Sequence, residues 1–230
     1  RNCALEPEVK DLINFLKRLG CKISLIGKRG INITGVQKFN PATHKVIFDR
    51  IEAGTYIIAS ALTNGHLEIK NVNPSIMSTE IALLNKMGVK IIKNKNSLVV
   101  SCKKKLKRIN ISTSPYPGFP TDLQAQIMVL MIKASGNSII KENIFENRFM
   151  HVSELRRMGA HIEIKGNKAM IFGDKKLNGA ELMATDLRAS VSLVLAGLIA
   201  SKKTILNRIY HLDRGYEKIE EKLSNCGARI

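Results

Sequence analysis

Leu19-Gly20-Cys21-Lys22-Ile23, Met87-Gly88-Val89-Lys90-Ile91, Met158-Gly159-Ala160-His161-Ile162 and Cys226-Gly227-Ala228-Arg229-Ile230 are one short pattern written four times. The glycines stand 68, 71 and 68 residues apart. A fixed period of this size marks a chain assembled from repeated units. Each glycine predicts the end of an amphipathic helix and the start of a strand, because glycine closes a helix in the left-handed conformation at little cost. The first such helix has Pro7 in its first turn and carries Val9, Leu12, Ile13, Leu16 and Leu19 on one face. The last carries Tyr216, Ile219, Leu223 and Cys226 at the same helical spacing.

Working outward, a second helix type opens each unit. These segments start at Glu52, Asp122 and Asp186 and continue to Leu62, Ile132 and Ile199. They are apolar nearly all round, which predicts burial on every side. Strands such as His66-Leu67-Glu68-Ile69-Lys70 alternate between them, as half-exposed strands do. The unit reads strand, buried helix, strand, amphipathic helix, strand, strand, an α/β (α+β) arrangement. Three copies place three buried helices at the centre and sheets outside. The chain holds four amphipathic halves but only three buried-helix halves, so it is expected to begin in mid-unit. It also stops at Ile230, where two earlier units continue into a hairpin (Ile91 to Cys102, Ile162 to Gly173). A piece of a larger protein is expected, with 1–45 the end of one domain and 46–230 three units of the next.

The net charge of +18, from 37 basic and 19 acidic residues, raises the possibility of a nucleic-acid partner. Aromatic residues are only 5% and Trp is absent, which leaves few surfaces for base stacking. The lysines are dispersed apart from 103–108, read as a solvated turn between strands. An anionic substrate accounts for the charge equally well. Cys3, Cys21, Cys102 and Cys226 form no C-x-x-C pair, so reduced thiols in a cytoplasmic protein are expected rather than a zinc site or disulfides. The longest apolar run, Ala189 to Ala200, is too short to span a bilayer, and the N-terminus lacks the apolar core of a signal peptide.

Longer blocks narrow the reading. Ser114-Pro-Tyr-Pro-Gly-Phe-Pro-Thr-Asp-Leu-Gln-Ala-Gln126 and Glu142-Asn-Ile-Phe-Glu-Asn-Arg-Phe-Met-His151 resemble two segments of the UDP-N-acetylglucosamine enolpyruvyl transferases. Met183 to Ser190 and Arg208 to Glu217 are similar to two more, and Glu6-Pro7-Glu8 and Asp49 to Glu52 also fit. The resemblance runs in order along the whole chain. It implies two inside-out α/β barrel domains of three units each, with the active site in the cleft between them. It also implies transfer of the enolpyruvyl group of phosphoenolpyruvate to the 3′-hydroxyl of UDP-N-acetylglucosamine, releasing phosphate, the first committed step of peptidoglycan synthesis. No metal or organic cofactor is implied.

Addition followed by elimination needs a base for the sugar hydroxyl, a proton donor for C3 and cations for phosphate and carboxylate. Asp122 follows the turn-rich loop Pro117-Gly-Phe-Pro-Thr121 and opens a buried helix. By position alone it reads as a carboxylate stabilised by the helix dipole; the resemblance makes it the base that contacts the sugar hydroxyl. Ile144 reads as a loop aliphatic, and the resemblance makes it a contact to the nucleotide sugar through its backbone. Arg148 is either a structural tie between loops or a site residue. Asp186 and Arg188 open the third buried helix. Glu52, Asp122 and Asp186 share one repeat position, which favours a capping role for Asp186, whereas the resemblance sets both Asp186 and Arg188 beside the cleft. Arg214, at the start of the last helix, is an unfavourable cation beside a positive helix end unless an anion binds there. The resemblance assigns it to phosphoenolpyruvate, and the alternative is an ion pair with Asp213 or Glu217.

Tyr116 departs from the His expected at its position. The resemblance implies that the family's Lys-Asn pair, its mobile loop with a Cys or Asp proton donor and a further Arg are to be expected before Arg1. The chain is therefore expected to be inactive alone and to need the missing N-terminal domain as partner, with no nucleic acid and no membrane involved. Two rivals remain: a basic nucleic-acid-binding repeat protein, and a half-enzyme that assembles with a separately encoded half.

Overall fold

The computed structural model describes all of residues 1–230. Helix α1 (Pro7–Arg18) has Pro7 at its first position, where a missing N–H breaks no bond. It leads into an antiparallel hairpin, β1 (Lys22–Ile26) and β2 (Gly30–Thr34). The four repeat glycines all take the left-handed conformation, with φ of +100° at Gly20, +101° at Gly88, +95° at Gly159 and +95° at Gly227. Any side chain there would strain the backbone, so the same residue type ends each of these helices for one steric reason.

The first repeat of the body comprises α2 (Arg50–Leu62), β3 (His66–Lys70), a 3-10 turn (Pro74–Met77) running into α3 (Ser78–Met87), β4 (Lys90–Lys93) and β5 (Ser97–Ser101). Its sheet has the order β3-β5-β4, all antiparallel, and residues 46–49 add no paired strand to it. The second repeat shows the expected unit entire: β6 (Asn110–Ser112), α4 (Gln124–Lys133), β7 (Ser138–Lys141), α5 (His151–Arg157), β8 (His161–Lys165) and β9 (Lys168–Phe172). Here the order is β6-β7-β9-β8; β6 and β7 are parallel, so they need a crossover, and α4 supplies it. The third contains β10 (Glu181–Met183), α6 (Leu187–Gly197), β11 (Ile205–Asn207), α7 (Tyr210–Asp213) and α8 (Ile219–Asn225), with β10 and β11 parallel.

Helices α2, α4 and α6 pack side by side at the centre, α4 between the other two. Nine of the ten residues of α4 are buried, which explains why its sequence has no polar face. The sheets lie outside, and β3 turns His66, Glu68 and Lys70 to solvent. One core of 45 buried apolar residues begins at Ile51 and runs through all three repeats. No helix is long and apolar enough to cross a membrane. The basic run 103–108 is exposed except for Leu106, and Lys105 pairs with Asp174 at 2.8 Å.

Two local expectations are corrected. Helix α2 starts at Arg50 rather than Glu52: Asp49 caps it, its Oδ1 accepting from the Ile51 N–H at 2.7 Å and the Glu52 N–H at 3.1 Å. The last helix does not run through Tyr216. Lys218 adopts φ +46°, a conformation a right-handed helix cannot pass through, so α8 begins only at Ile219 and Cys226 is exposed.

Two side-chain hydrogen bonds tie residues 1–45 to this body: the Arg50 guanidinium donates to Glu8 at 2.9 Å, and the Tyr116 N–H donates to Glu6 Oε1 at 3.4 Å. Arg50 also donates to Glu80 at 3.2 Å, a buried pair within the body, while the ring of His44 meets Asp11 at 3.0 Å within the leading segment. Burial pushes the Glu80 carboxyl up, opposed by a backbone hydrogen bond and by Arg50.

Candidate active site

The loop before α4 is a closed turn. Ser114 donates its N–H to the Phe119 carbonyl at 3.0 Å, and Gly118 donates to the Pro115 carbonyl at 2.8 Å. A Cβ on Gly118 would lie 1.8 Å from Ser114 Oγ, so only glycine fits. The buried Phe119 then anchors the chain, and Thr121–Leu123 make one 3-10 turn that presents Asp122.

Asp122 does not cap α4. Its carboxylate accepts instead from two guanidinium groups, Arg148 Nη2 on Oδ1 at 2.7 Å and Arg188 Nη2 on Oδ2 at 3.0 Å. The side chain of Asp122 remains 40% exposed, while both arginines are 17% exposed. The three residues come from different places: Asp122 heads the second central helix, Arg148 lies in the loop after β7, and Arg188 is in the first turn of α6. Burial would lower the Arg188 pKa, but Asp122 and then Tyr216 outweigh it and hold the guanidinium more firmly charged.

Asp186 differs from Asp122 despite the shared repeat position. It is the cap of α6, its Oδ1 accepting from the N–H groups of Arg188 at 2.8 Å and Ala189 at 2.9 Å. Its bond to the Arg188 backbone places that arginine's side chain. Glu52, the third of the set, lies inside α2 and takes a bond from Lys222 at 2.9 Å. The capping role expected for Asp186 is thus met, but Glu52 and Asp122 at the same repeat position do not share it, because the helices start at different offsets from the repeat.

Ile144 is 43% exposed, and its N–H is already committed to Glu142 Oε1 at 2.9 Å. Arg148 lies over the Phe145 ring at 5.0 Å. Arg214 is exposed and pairs with neither Asp213 nor Glu217. It stands at the C-terminal end of α7, not at the start of the last helix, so the argument from an unfavourable helix end is corrected: a cation there is favourable. Gly215 beside it packs on Leu187, where a Cβ would lie 2.7 Å from that side chain, and this holds α7 against the start of α6.

Behind the acid lies a buried polar knot that the sequence reading missed. The Tyr216 hydroxyl meets Thr55 Oγ1 of α2 at 2.9 Å and accepts from Gln126 Nε2 of α4 at 3.4 Å. Gln126 Nε2 also donates to the Asp122 carbonyl at 3.0 Å. Burial pushes the Tyr216 phenol up. His151, fully buried at the start of α5, has its pKa pushed down to about 4, first by burial and then by Arg148, with Asp186 opposing.

The residues that meet are therefore a carboxylate and two guanidinium groups; Arg214 makes no hydrogen bond or ion pair with any of the three. The carboxylate suits a hydroxyl, and the cations suit phosphate or carboxylate oxygens.

Known proteins share this architecture. The family model described as EPSP synthase (3-phosphoshikimate 1-carboxyvinyltransferase) matches residues 1–223. The chain belongs to this family. Over 229 residues it is 61% identical to the UDP-N-acetylglucosamine 1-carboxyvinyltransferase of Pelagibacter ubique, with all of this chain and 55% of that protein covered. The protein of the same name from Koribacter versatilis is 54% identical, again over the whole chain and 53% of its own length. The chain spans about half the length of the curated relatives it matches. Among solved structures, the enolpyruvyl transferase NikO from Streptomyces tendae superposes with a TM-score of 0.89 at 28% identity, over all of this chain and 55% of that one. EPSP synthase from Acinetobacter baumannii shares the fold at a TM-score of 0.72 and 17% identity, over 93% of this chain and 53% of its own.

Proposed function

We propose that this chain supplies the acceptor half of an enolpyruvyl transferase. In the full-length protein that enzyme moves the enolpyruvyl group of phosphoenolpyruvate to the 3′-hydroxyl of UDP-N-acetylglucosamine and releases phosphate. The observation that carries this reading is the Asp122 carboxylate, half-open to solvent and gripped by Arg148 and Arg188. Each guanidinium occupies one oxygen and leaves further lone pairs free, so an incoming sugar hydroxyl has an acceptor already oriented. As that hydroxyl attacks C2 of phosphoenolpyruvate, Asp122 takes its proton. Arg188 and Arg214 balance the charge of the phosphate and carboxylate groups. Ile144, whose N–H is committed, faces the sugar nucleotide with its carbonyl and side chain. Asp186 acts through Arg188, and Arg148 sets the pose of Asp122. The curated relatives' shared name supports this choice of acceptor.

In this reading residues 1–45 close the first of two inside-out barrel domains, and 46–230 form the second. The proton donor for C3 and the rest of the phosphoenolpyruvate site come from the other domain, so this half alone is inactive. The product feeds peptidoglycan synthesis in the cytoplasm and, through it, cell shape and division.

The test is phosphate release by the full-length protein. Release should require phosphoenolpyruvate and UDP-N-acetylglucosamine together. Release with shikimate 3-phosphate in place of the nucleotide sugar, or none with either acceptor, overturns the assignment.

A further inference from the structure

One buried carboxylate takes no part in the chemistry above, yet bonds to the turn that carries Asp122 and to the loop that carries Arg148. Glu142 follows β7 directly and is 3% exposed. It has no cation beside it. Its Oε1 accepts from Thr113 Oγ1 at 2.7 Å and from the N–H groups of Ile144 at 2.9 Å and Phe145 at 3.1 Å; its Oε2 accepts from Thr121 Oγ1 at 3.0 Å. Its own main chain is clamped by Asn167, through bonds of 2.8 and 2.9 Å. Burying an ionised carboxylate is costly unless its lone pairs are met. Four neutral donors meet them here, and three of the four, Thr121, Ile144 and Phe145, belong to the two segments that carry Asp122 and Arg148.

The donors define two walls. Thr121 is the residue before Asp122, in the same 3-10 turn. Ile144 and Phe145 begin the loop that delivers Arg148. The Asp122–Arg148 contact at 2.7 Å then joins the far ends of the two walls. The result is a closed ring: Glu142, Thr121, Asp122, Arg148, the 144–148 loop, and back to Glu142. Glu142 does not reach the open side of the site.

We infer that Glu142 is a positioning residue for the transfer reaction: its charge locks the Asp122 turn and the Ile144–Arg148 loop at one fixed separation. The inference rests on the proposed function, since it names the sugar-accepting site as what is being positioned. Loss of the lock lets both walls drift, and misplacement of a catalytic group by about 1 Å is enough to cost about 100-fold in rate.

The experiment uses the full-length protein with Glu142→Ala and Glu142→Gln. Glu142→Ala should lower kcat for phosphate release by about 100-fold and raise the KM for UDP-N-acetylglucosamine more than that for phosphoenolpyruvate. The amides of Ile144 and Phe145 should exchange with solvent faster than in the wild type, while the α4 amides stay protected. Glu142→Gln keeps an oxygen for three of the four donors and should fall between, several-fold below wild type with an unchanged melting temperature. Wild-type kcat and KM in a folded Glu142→Ala protein overturn the inference, as does faster exchange spread evenly over the body with kcat per folded molecule unchanged. Should the alanine variant not fold, wild-type kcat in Glu142→Gln overturns it. The exchange measurement needs no substrate, so it still judges Glu142 if wild-type protein fails to release phosphate, an outcome that removes only the proposed function.

Discussion

Residues 1–45 and residues 46–230 follow the same repeat pattern, yet their apolar residues meet different fates. The leading segment buries a single residue, Ile23, out of 63 buried in the chain. Helix α1 buries none, and Leu12 on its apolar face is 54% exposed. Its counterpart α3, ended by the same kind of glycine, buries Ile81, Leu84 and Met87. The difference is the presence of α2, α4 and α6. In the body each amphipathic helix and sheet has a central helix to cover; among these 230 residues the leading segment has only its own two-stranded hairpin, and the proposed first domain would supply the rest. An amphipathic stripe is thus a demand for a partner, and the stability of the helix comes from whatever meets that demand.

The contrast yields tests of decreasing size. A body this well packed should tolerate loss of a site group without losing its fold. Asp122→Ala in the full-length protein should therefore cut phosphate release by about 1,000-fold with little change in melting temperature. Activity near that of wild type removes the catalytic role; a collapse in melting temperature makes Asp122 a structural residue. The packing difference itself is probed by Leu130→Ala, at a fully buried position in α4, which should cost about 3 kcal/mol by denaturant titration. Leu12→Ala should cost no more than about 0.5 kcal/mol in residues 1–230 by themselves, and more in the full-length protein, where the proposed first domain covers α1. Equal losses would erase the distinction between the two regions.

A smaller effect is a pH dependence confined to the body. His151 is held neutral, its folded-state pKa pushed down to about 4, first by burial. The unfolded chain binds this proton near pH 6.5, so between these values it holds more protons than the folded one. Stability therefore falls as pH is lowered through that window, by roughly 2 kcal/mol between pH 6.5 and 5. His151→Asn should flatten that stretch of the stability curve; a curve parallel to wild type shows that other groups dominate acid unfolding.

Much of the fold is legible in the residues. The four glycines show the period and the helix ends because one steric fact governs all of them. The fully apolar helices identify the centre because no amphipathic helix could carry Gln124 to Ile132 without a buried position for each. What the residues hide is offset and pairing. Asp49 and Asp186 cap their helices while Asp122, at the nominally equivalent place, does not. That depends on a 3-10 turn whose cause is the Pro-Gly loop packing before it. Arg188 reaches Asp122 across 66 residues of sequence and Tyr216 reaches Thr55 across 161, contacts set by how the repeats close on one another. Lys218 at φ +46° breaks the last helix, and the one glycine in the break, Gly215, stands three residues earlier. Glu142 was visible in its motif, but a charged residue in a loop gives no sign that four donors will enclose it.

The account depends on the sugar hydroxyl meeting Asp122. A crystal structure of the full-length protein with UDP-N-acetylglucosamine and an unreactive analogue of phosphoenolpyruvate measures that contact directly. The 3′-hydroxyl should lie within hydrogen-bonding distance of an Asp122 carboxylate oxygen, with Arg148 and Arg188 still on that side chain. A sugar ring bound elsewhere, with Asp122 facing only its two arginines, contradicts it.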